Sequence, residues 1–321
     1  MDVSYLPPND DDVMQESLSE ENVIIDPLFD AGFKLTFGRE TVSECLLIDL
    51  LNSIFEGDPK FGNIVSIKYL NTEYQGESIE GKTLRYDVMC STSNGHRFIV
   101  EMQKGYQKHF LERSQYYVDR AIVRQGYKGK GVNDESWDYS FEPVVGVFFC
   151  NFHVPELPLK AVVKGRLFDE ETLEPMGDYT RFVYIQIPFF NKDKQECVNQ
   201  LERWIFNIKN MGVMQSVAFT ANNDIFKYLE SVSNVAALSP IERERYEAEL
   251  KRARDYNAVV KSAKEMGESE GLEKGIVKGE EMAKFNMSRN LFKQGVSLKV
   301  IAEAAGVTIQ KIKEWLGIEN E

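Results

Sequence analysis

Histidine is scarce: the 321 residues hold three, none within helix-turn spacing of another, which excludes a histidine-rich metal site. Cysteine is scarce as well. Cys45, Cys90, Cys150 and Cys197 stand far apart and form no CxxC pair. That argues against a zinc site and a disulfide framework, and fits reduced thiols in a cytoplasmic setting. Long apolar runs are missing; Val144–Cys150 is typical of the longest, far short of the roughly 20 residues that cross a bilayer, so no membrane partner is expected. The opening Met-Asp-Val-Ser has neither the basic nor the apolar stretch of a signal peptide. Lysine and arginine are absent from residues 1–33, which carry nine acids and supply −9 of the net charge of −13.

What is present is enough apolar material for a sizeable core: 43% hydrophobic and 12% aromatic residues exclude wholesale disorder, and the length leaves room for about two domains. A net charge of −13 by itself argues against a nucleic-acid partner. Its distribution reverses that reading, because Glu101 to Lys130 holds seven basic residues against three acids, a net +4.

Patterning divides the chain into four stretches. Residues 1–25 form an acidic tail with Pro7-Pro8 and the run Asp10–Asp12. Over 26–215, helical spacing at Glu40–Phe55 gives way to strand-like segments at Ile64–Leu70, Thr83–Ser91 and His96–Gln103. A polar basic helix follows at Phe110–Tyr127, then a doubly covered strand at Val144–Phe152, an excursion around Val162–Phe168, a strand at Arg181–Phe189 and a helix at Lys194–Asn210. Strands interleaved with helices specify an α/β domain with a central mixed sheet. Over 216–282 a helical arm of alternating charge precedes glycines at 267, 271, 275 and 279, read either as a flexible connector or as a stripe that lets another backbone approach. Residues 283–321 read as an all-α, helix-turn-helix-like trihelical unit, with Ser297 and Thr308 as caps and turns at Gly295 and Gly306. Gln310, Lys311 and Lys313 are its only DNA-facing polar groups, so a structural cap fits it about as well as a DNA reader. A homodimer through these C-terminal helices is a candidate assembly.

The chemistry concentrates in Arg85-Tyr86-Asp87-Val88 and Phe98-Ile99-Val100-Glu101-Met102-Gln103. If Ser93-Asn94-Gly95 is a three-residue hairpin loop with Gly95 left-handed, Thr92 pairs with His96 and Asp87 stands opposite Glu101 on one face. A two-residue loop instead sends the two carboxylates to opposite faces, so register decides whether a site exists. Neighbouring carboxylates repel unless a cation lies between them. Oxygen donors suit Mg2+ or Mn2+, with the Met102 backbone carbonyl as a third ligand. Gln103 would orient the attacking water. Lys104, Arg113, Arg120 and Arg124 would hold a DNA backbone. The competing reading has Asp87 and Glu101 as surface residues paired with Arg85 and Arg97.

Asp26-Pro27-Leu28-Phe29-Asp30-Ala31-Gly32-Phe33-Lys34-Leu35-Thr36-Phe37-Gly38 resembles the opening motif of the Rpn-type recombination-promoting nuclease/transposase family, a branch of the PD-(D/E)XK nucleases. Arg85-x-Asp87-Val88, Ile99-Val100-Glu101-Met102-Gln103, Leu111–Tyr117 and Tyr139-x-x-x-Pro143-Val144-Val145 are similar too, so the likeness spans roughly 26–215. It implies a four-stranded mixed sheet flanked by helices and divalent-metal-dependent endonuclease cleavage of DNA, leaving 5′-phosphate and 3′-hydroxyl ends. By position it makes Asp87 and Glu101 the metal ligands and puts Gln103 in the place of the superfamily's lysine, removing a charge. Glu44 sits where many relatives carry an additional acid, though a solvent-facing helix position suits it better. Asp30 and Lys34 belong to the opening motif, where a capping carboxylate and its partner explain them equally well. The alternative function is a catalytically weak or inactive nuclease fold that binds DNA or protein. A third reading has the acidic tail occupying the chain's own basic groove.

Overall fold

Alternating β-branched and aromatic residues become the strands wherever both faces of the chain can be covered. The computed structural model describes residues 23–74, 84–127 and 140–318; the acidic segment 1–22, with Lys128, Lys130 and Tyr139, lies outside them. The strands are β1 (Ile67–Tyr69), β2 (Glu73–Tyr74), β3 (Leu84–Arg85), β4 (Val88–Thr92), β5 (Arg97–Gln103), β6 (Val144–Cys150), β7 (Val162–Arg166) and β8 (Thr180–Gln186). Six of them form one mixed sheet in the order β1-β4-β5-β6-β8-β7, while β2 and β3 pair only with each other. β5, β6 and β8 run parallel; β4 and β1 extend the sheet antiparallel on one side and β7 on the other. The four strands implied by the family likeness are thus supplemented at each edge, by short β1 and by the hairpin strand β7.

The helices are α1 (Asp30–Phe37), α2 (Glu40–Ile54), α3 (Phe110–Tyr127), α4 (Gln200–Asn210), α5 (Asp224–Val232), α6 (Pro240–Lys293), α7 (Leu298–Ala305) and α8 (Ile309–Leu316). Side-chain alternation sorts the sheet into two cores. Phe98, Val100 and Met102 of β5, with Val145, Val147 and Phe149 of β6, meet α1, α2, α4 and α5; Ile99 and Phe148 meet Phe110, Val118 and Ala121 of α3. Every residue of β6 is buried, as its continuous apolar run requires. Each such Phe, Leu or Val contributes about 1.5–3 kcal/mol on burial. Gly146 lets α3 sit close: a Cβ there would stand 2.5 Å from the Phe148 ring and 2.9 Å from Val118. On the opposite side buried Trp204 of α4 donates its indole N–H to Asp49 at 2.6 Å.

The chain divides into two compact units, Met1–Leu250 and Lys251–Glu321. Within the first, Tyr246 joins Ile25, Leu35, Val235 and Leu238 in a small cluster beside α1. The glycine-spaced segment is helical, not a flexible break in the chain. Gly267, Gly271, Gly275 and Gly279 all lie inside the 54-residue α6, and among the described residues no atom lies within 4 Å of where their Cβ atoms would be. Good helix formers between them, with Lys264–Glu268 and Glu270–Lys274 pairs at i,i+4 spacing, offset the roughly 1 kcal/mol cost of each glycine. In the second unit Ile301, Ala302, Ala305 and Ile312 form the core of the trihelical C-terminus. Gly306 makes its turn at φ +66°, and Thr308 accepts a cap hydrogen bond from the Lys311 N–H. Ser297 occupies the N-cap of α7 but its side chain makes no cap bond. Among the described residues no helix is long and apolar enough to cross a membrane.

Candidate active site

The hairpin between β4 and β5 sets the geometry. Ser93-Asn94-Gly95 is a three-residue loop with Gly95 at φ +78°, and the Thr92 N–H donates to the His96 carbonyl at 2.8 Å. The register Ser91↔Arg97, Cys90↔Phe98, Met89↔Ile99 and Val88↔Val100 follows, and one further step brings Asp87 to Glu101.

The ladder stops at that step, where sequence patterning expected one strand across Thr83–Ser91. The backbone bends at Asp87, because Tyr86 turns inward and buries completely. The Tyr86 hydroxyl donates to the Tyr117 carbonyl of α3 at 3.0 Å, its ring meets the Tyr117 ring edge-on, and its N–H donates to Thr72 of the loop before β2. With no β4 residue opposite it, the Met102 N–H donates to Asp87 Oδ2 at 2.9 Å, and the Asp87 N–H donates in return to Glu101 Oε1 at 3.0 Å. The Asp87 carboxylate is locked to the Met102 backbone and that of Glu101 to the Asp87 backbone, which leaves Asp87 Oδ1 and Glu101 Oε2 for other partners. Met102 enters the site through its N–H, and the ligating role that the sequence suggested for its carbonyl stays a proposal.

Both carboxylates are buried, Glu101 to 2% exposure and the Asp87 side chain to 9%. Burial is the main reason the Glu101 pKa rises to about 7, against the lowering effects of the Asp87 N–H and of the charges on Arg113 and Lys34. Asp87 is also raised well above the ordinary range, by burial first and then by the Glu101 charge and its hydrogen bond with Asp30. Asp30 moves the other way: burial opposes its ionisation, but hydrogen bonds with Asp87 and Lys34 outweigh it. The Lys34 ammonium, 2.8 Å from Asp30 Oδ1 and 3.2 Å from Asp87 Oδ1, has its pKa raised, since these two carboxylates outweigh its own desolvation.

Gln103 leans over the pair with its amide nitrogen 3.5 Å from Glu101 Oε2 and its oxygen 3.4 Å from Arg113 Nη1. Arg113 is also held by the Tyr117 hydroxyl and by Gln107. Arg120 and Arg124 follow it at i+7 and i+11, along one face of α3, half-buried like Arg113 itself. Lys104 does not join them: its ammonium lies 3.1 Å from the centre of the Phe29 ring, near Asp26 and Glu249. Glu44 is exposed on α2, where its charge acts on the Tyr69 hydroxyl.

The surface ion-pair reading of Asp87 and Glu101 loses its partners, since Arg85 binds Glu73 and Arg97 binds Glu142. Sequence reasoning undervalued Lys34. The i,i+4 spacing of Asp30 and Lys34 in the opening motif was visible, but their convergence on Asp87 depends on how α1 packs against β5. Among the described residues no group of three or more His, Cys, Asp or Glu side chains is arranged to hold a metal ion by itself. A dication here would rest on the Asp87–Glu101 pair, water and substrate.

No curated protein and no solved structure matches the chain. The family model for PD-(D/E)XK nuclease family transposases matches residues 27–263, which takes in α1, the whole sheet and the carboxylate pair. On that match, and with a mixed sheet flanked by helices to accompany it, the chain belongs to the PD-(D/E)XK nuclease family transposases.

Proposed function

We propose that this protein is a divalent-metal-dependent DNA endonuclease of the recombination-promoting type, with Asp87 and Glu101 holding Mg2+ or Mn2+. One observation carries the reading. Two buried carboxylates are locked side by side, and with Asp30 they make three acids that, among the described residues, face Lys34, Arg113 and, at Asp30, Arg85. The donor set fits a hard ion, because it is all oxygen and the raised pKa values of the pair mark a field still short of positive charge. When bound, such an ion supplies Lewis acidity at the phosphate and an ionised water as nucleophile.

The chain's own residues do the rest. Asp87 and Glu101 are preset by backbone N–H groups, so little reorganisation accompanies ligand binding. Gln103, tied between Glu101 and Arg113, would orient an attacking water. Arg120 and Arg124 on α3 would contact backbone phosphates, while Arg113 is held by Tyr117, Gln107 and Gln103 beside the pair. In the hydrolysis the water oxygen bonds to phosphorus and the P–O3′ bond breaks. The water's proton is released and the leaving alkoxide is protonated, giving 5′-phosphate and 3′-hydroxyl ends.

The experiment is nicking of supercoiled plasmid with Mg2+ or Mn2+ by wild type, Asp87→Ala and Glu101→Ala. Metal-dependent nicking by wild type and its loss in both variants is expected; unchanged nicking in both would remove the site assignment. The uncharged Gln103 favours a second reading, a catalytically weak or inactive fold that binds DNA or protein. Tight DNA binding without metal or cleavage, lost on deleting 283–321, would select it.

A further inference from the structure

Phosphodiester hydrolysis builds negative charge on the non-bridging phosphate oxygens, and a preorganised cation at those oxygens is among the largest contributions a site can make. The strand bearing Glu101 ends in neutral Gln103, so the charge must come from elsewhere. Arg113 is engaged by the Tyr117 hydroxyl through Nε at 3.1 Å and Nη2 at 2.8 Å, and by Gln107 and Gln103 through Nη1. Lys104 lies over the Phe29 ring. Among the described residues, Lys34 is the cation in an ion pair with Asp87.

Resting on the nuclease reading above, we infer that Lys34 is a catalytic residue, the ammonium that contacts the scissile phosphate and stabilises its developing charge from α1. Its placement is fixed from three directions. Phe33 and Phe37 anchor α1 in the core, both fully buried. A Cβ at Gly32 would fall 1.9 Å from the Asp26 carbonyl, so that turn sits tight against the preceding loop, and Glu249 accepts the Ala31 N–H at 2.9 Å. Asp30, one turn back, holds the ammonium at 2.8 Å, so Lys34 stays at the site when Asp87 turns its charge to another partner. The side chain is 32% exposed against 9% for Asp87, so it is the more accessible of the two to an arriving phosphate. Lys34 keeps its proton throughout and acts by charge and hydrogen bonding, not by proton transfer.

The test uses the full chain with Lys34→Met, which keeps the stem and removes the charge, and Lys34→Arg, which keeps the charge. Three quantities are measured: single-turnover plasmid nicking in Mn2+, Mn2+ affinity without DNA by electron paramagnetic resonance, and thermal melting. Lys34→Met is expected to cleave about 10²–10³-fold more slowly, Lys34→Arg to recover most of that loss, and Mn2+ affinity to hold or tighten once a competing ammonium is gone. Lys34→Met cleaving within about threefold of wild type would overturn the inference while leaving the nuclease reading intact. So would a loss of Mn2+ affinity that accounts for the loss of rate, or a loss that Lys34→Arg fails to rescue, since each makes Lys34 a support for Asp87. Wild type that nicks with neither metal overturns the nuclease reading, and this inference with it.

Discussion

At the N-terminal ends of the parallel strands Arg97 pairs with Glu142, and Arg181 pairs with both Asp58 and Asp178. At the C-terminal ends of the same strands Asp30, Asp87 and Glu101 crowd around Lys34 and Arg113. The consequences for the acids are opposite. Asp58 is held below its ordinary pKa because the Arg181 guanidinium and the N–H groups of Lys60 and Phe61 outweigh its partial burial, whereas burial pushes Glu101 up to about 7. One end has matched its charges and acts as scaffold; the other keeps an excess of buried negative charge that folding alone does not require. Open α/β sheets bind ligands beyond the carboxyl ends of their strands, and here that is the end left unbalanced.

That contrast can be broken or sharpened by experiment. The largest effect is expected from Glu101→Gln, which should lower metal-dependent nicking by roughly a thousandfold or more, while Arg181→Met at the opposite end leaves the rate within a few fold. Equal losses in both would show that the two ends do not differ in kind. Arg181→Met should instead lower stability by about 1–3 kcal/mol in urea unfolding, since it strips Asp58 and Asp178 of a shared partner.

Stability against pH gives a third measure. The folded Glu101 pKa of about 7 lies above the ordinary 4.5, so between those values the folded state binds more protons than the unfolded one. Stability from this group therefore declines as pH rises through that window and levels off above it. Glu101→Gln should flatten the decline and exceed wild type above pH 7 by about 1–3 kcal/mol. Mn2+ affinity of wild type should rise with pH over the same window, because binding expels the proton. The smallest effect is expected from Glu249→Ala: removing the acceptor of the Ala31 N–H should lower stability by about 1 kcal/mol, and would slow cleavage only through Lys34.

Helices α2, α3 and α4 and the doubly covered strand were legible because their signals are local; α1, α5 and the run of α6 through its glycines were not. Phe110–Tyr127 carried its boundaries in its own pattern, and seven apolar residues in a row at Val144–Cys150 leave little choice but a strand covered on both faces. The hairpin loop was legible for the same reason, since Gly95 is the residue its left-handed position favours. The break at Tyr86-Asp87 was not. It comes from Tyr86 burying against α3, a helix more than twenty residues onward, and strand propensity at Thr83–Ser91 carries no trace of that contact. The setting of Lys104 was not legible either, since its place in a basic segment says nothing of the Phe29 ring beneath its ammonium.

By itself, then, the sequence determined which residues carry charge, which segments bury, and that Asp87 and Glu101 fall on one face if the loop has three residues. Those outcomes follow from side-chain chemistry and from periodicities of two and 3.6, which act over a few neighbours. Only the tertiary structure decided that the Asp87 and Met102 N–H groups would lock the pair, that Arg85 and Arg97 would pair elsewhere, and that α1 would bring Lys34 to Asp87. Each depends on which chain segment fills the space left by another, and close packing settles that only when the whole core is assembled.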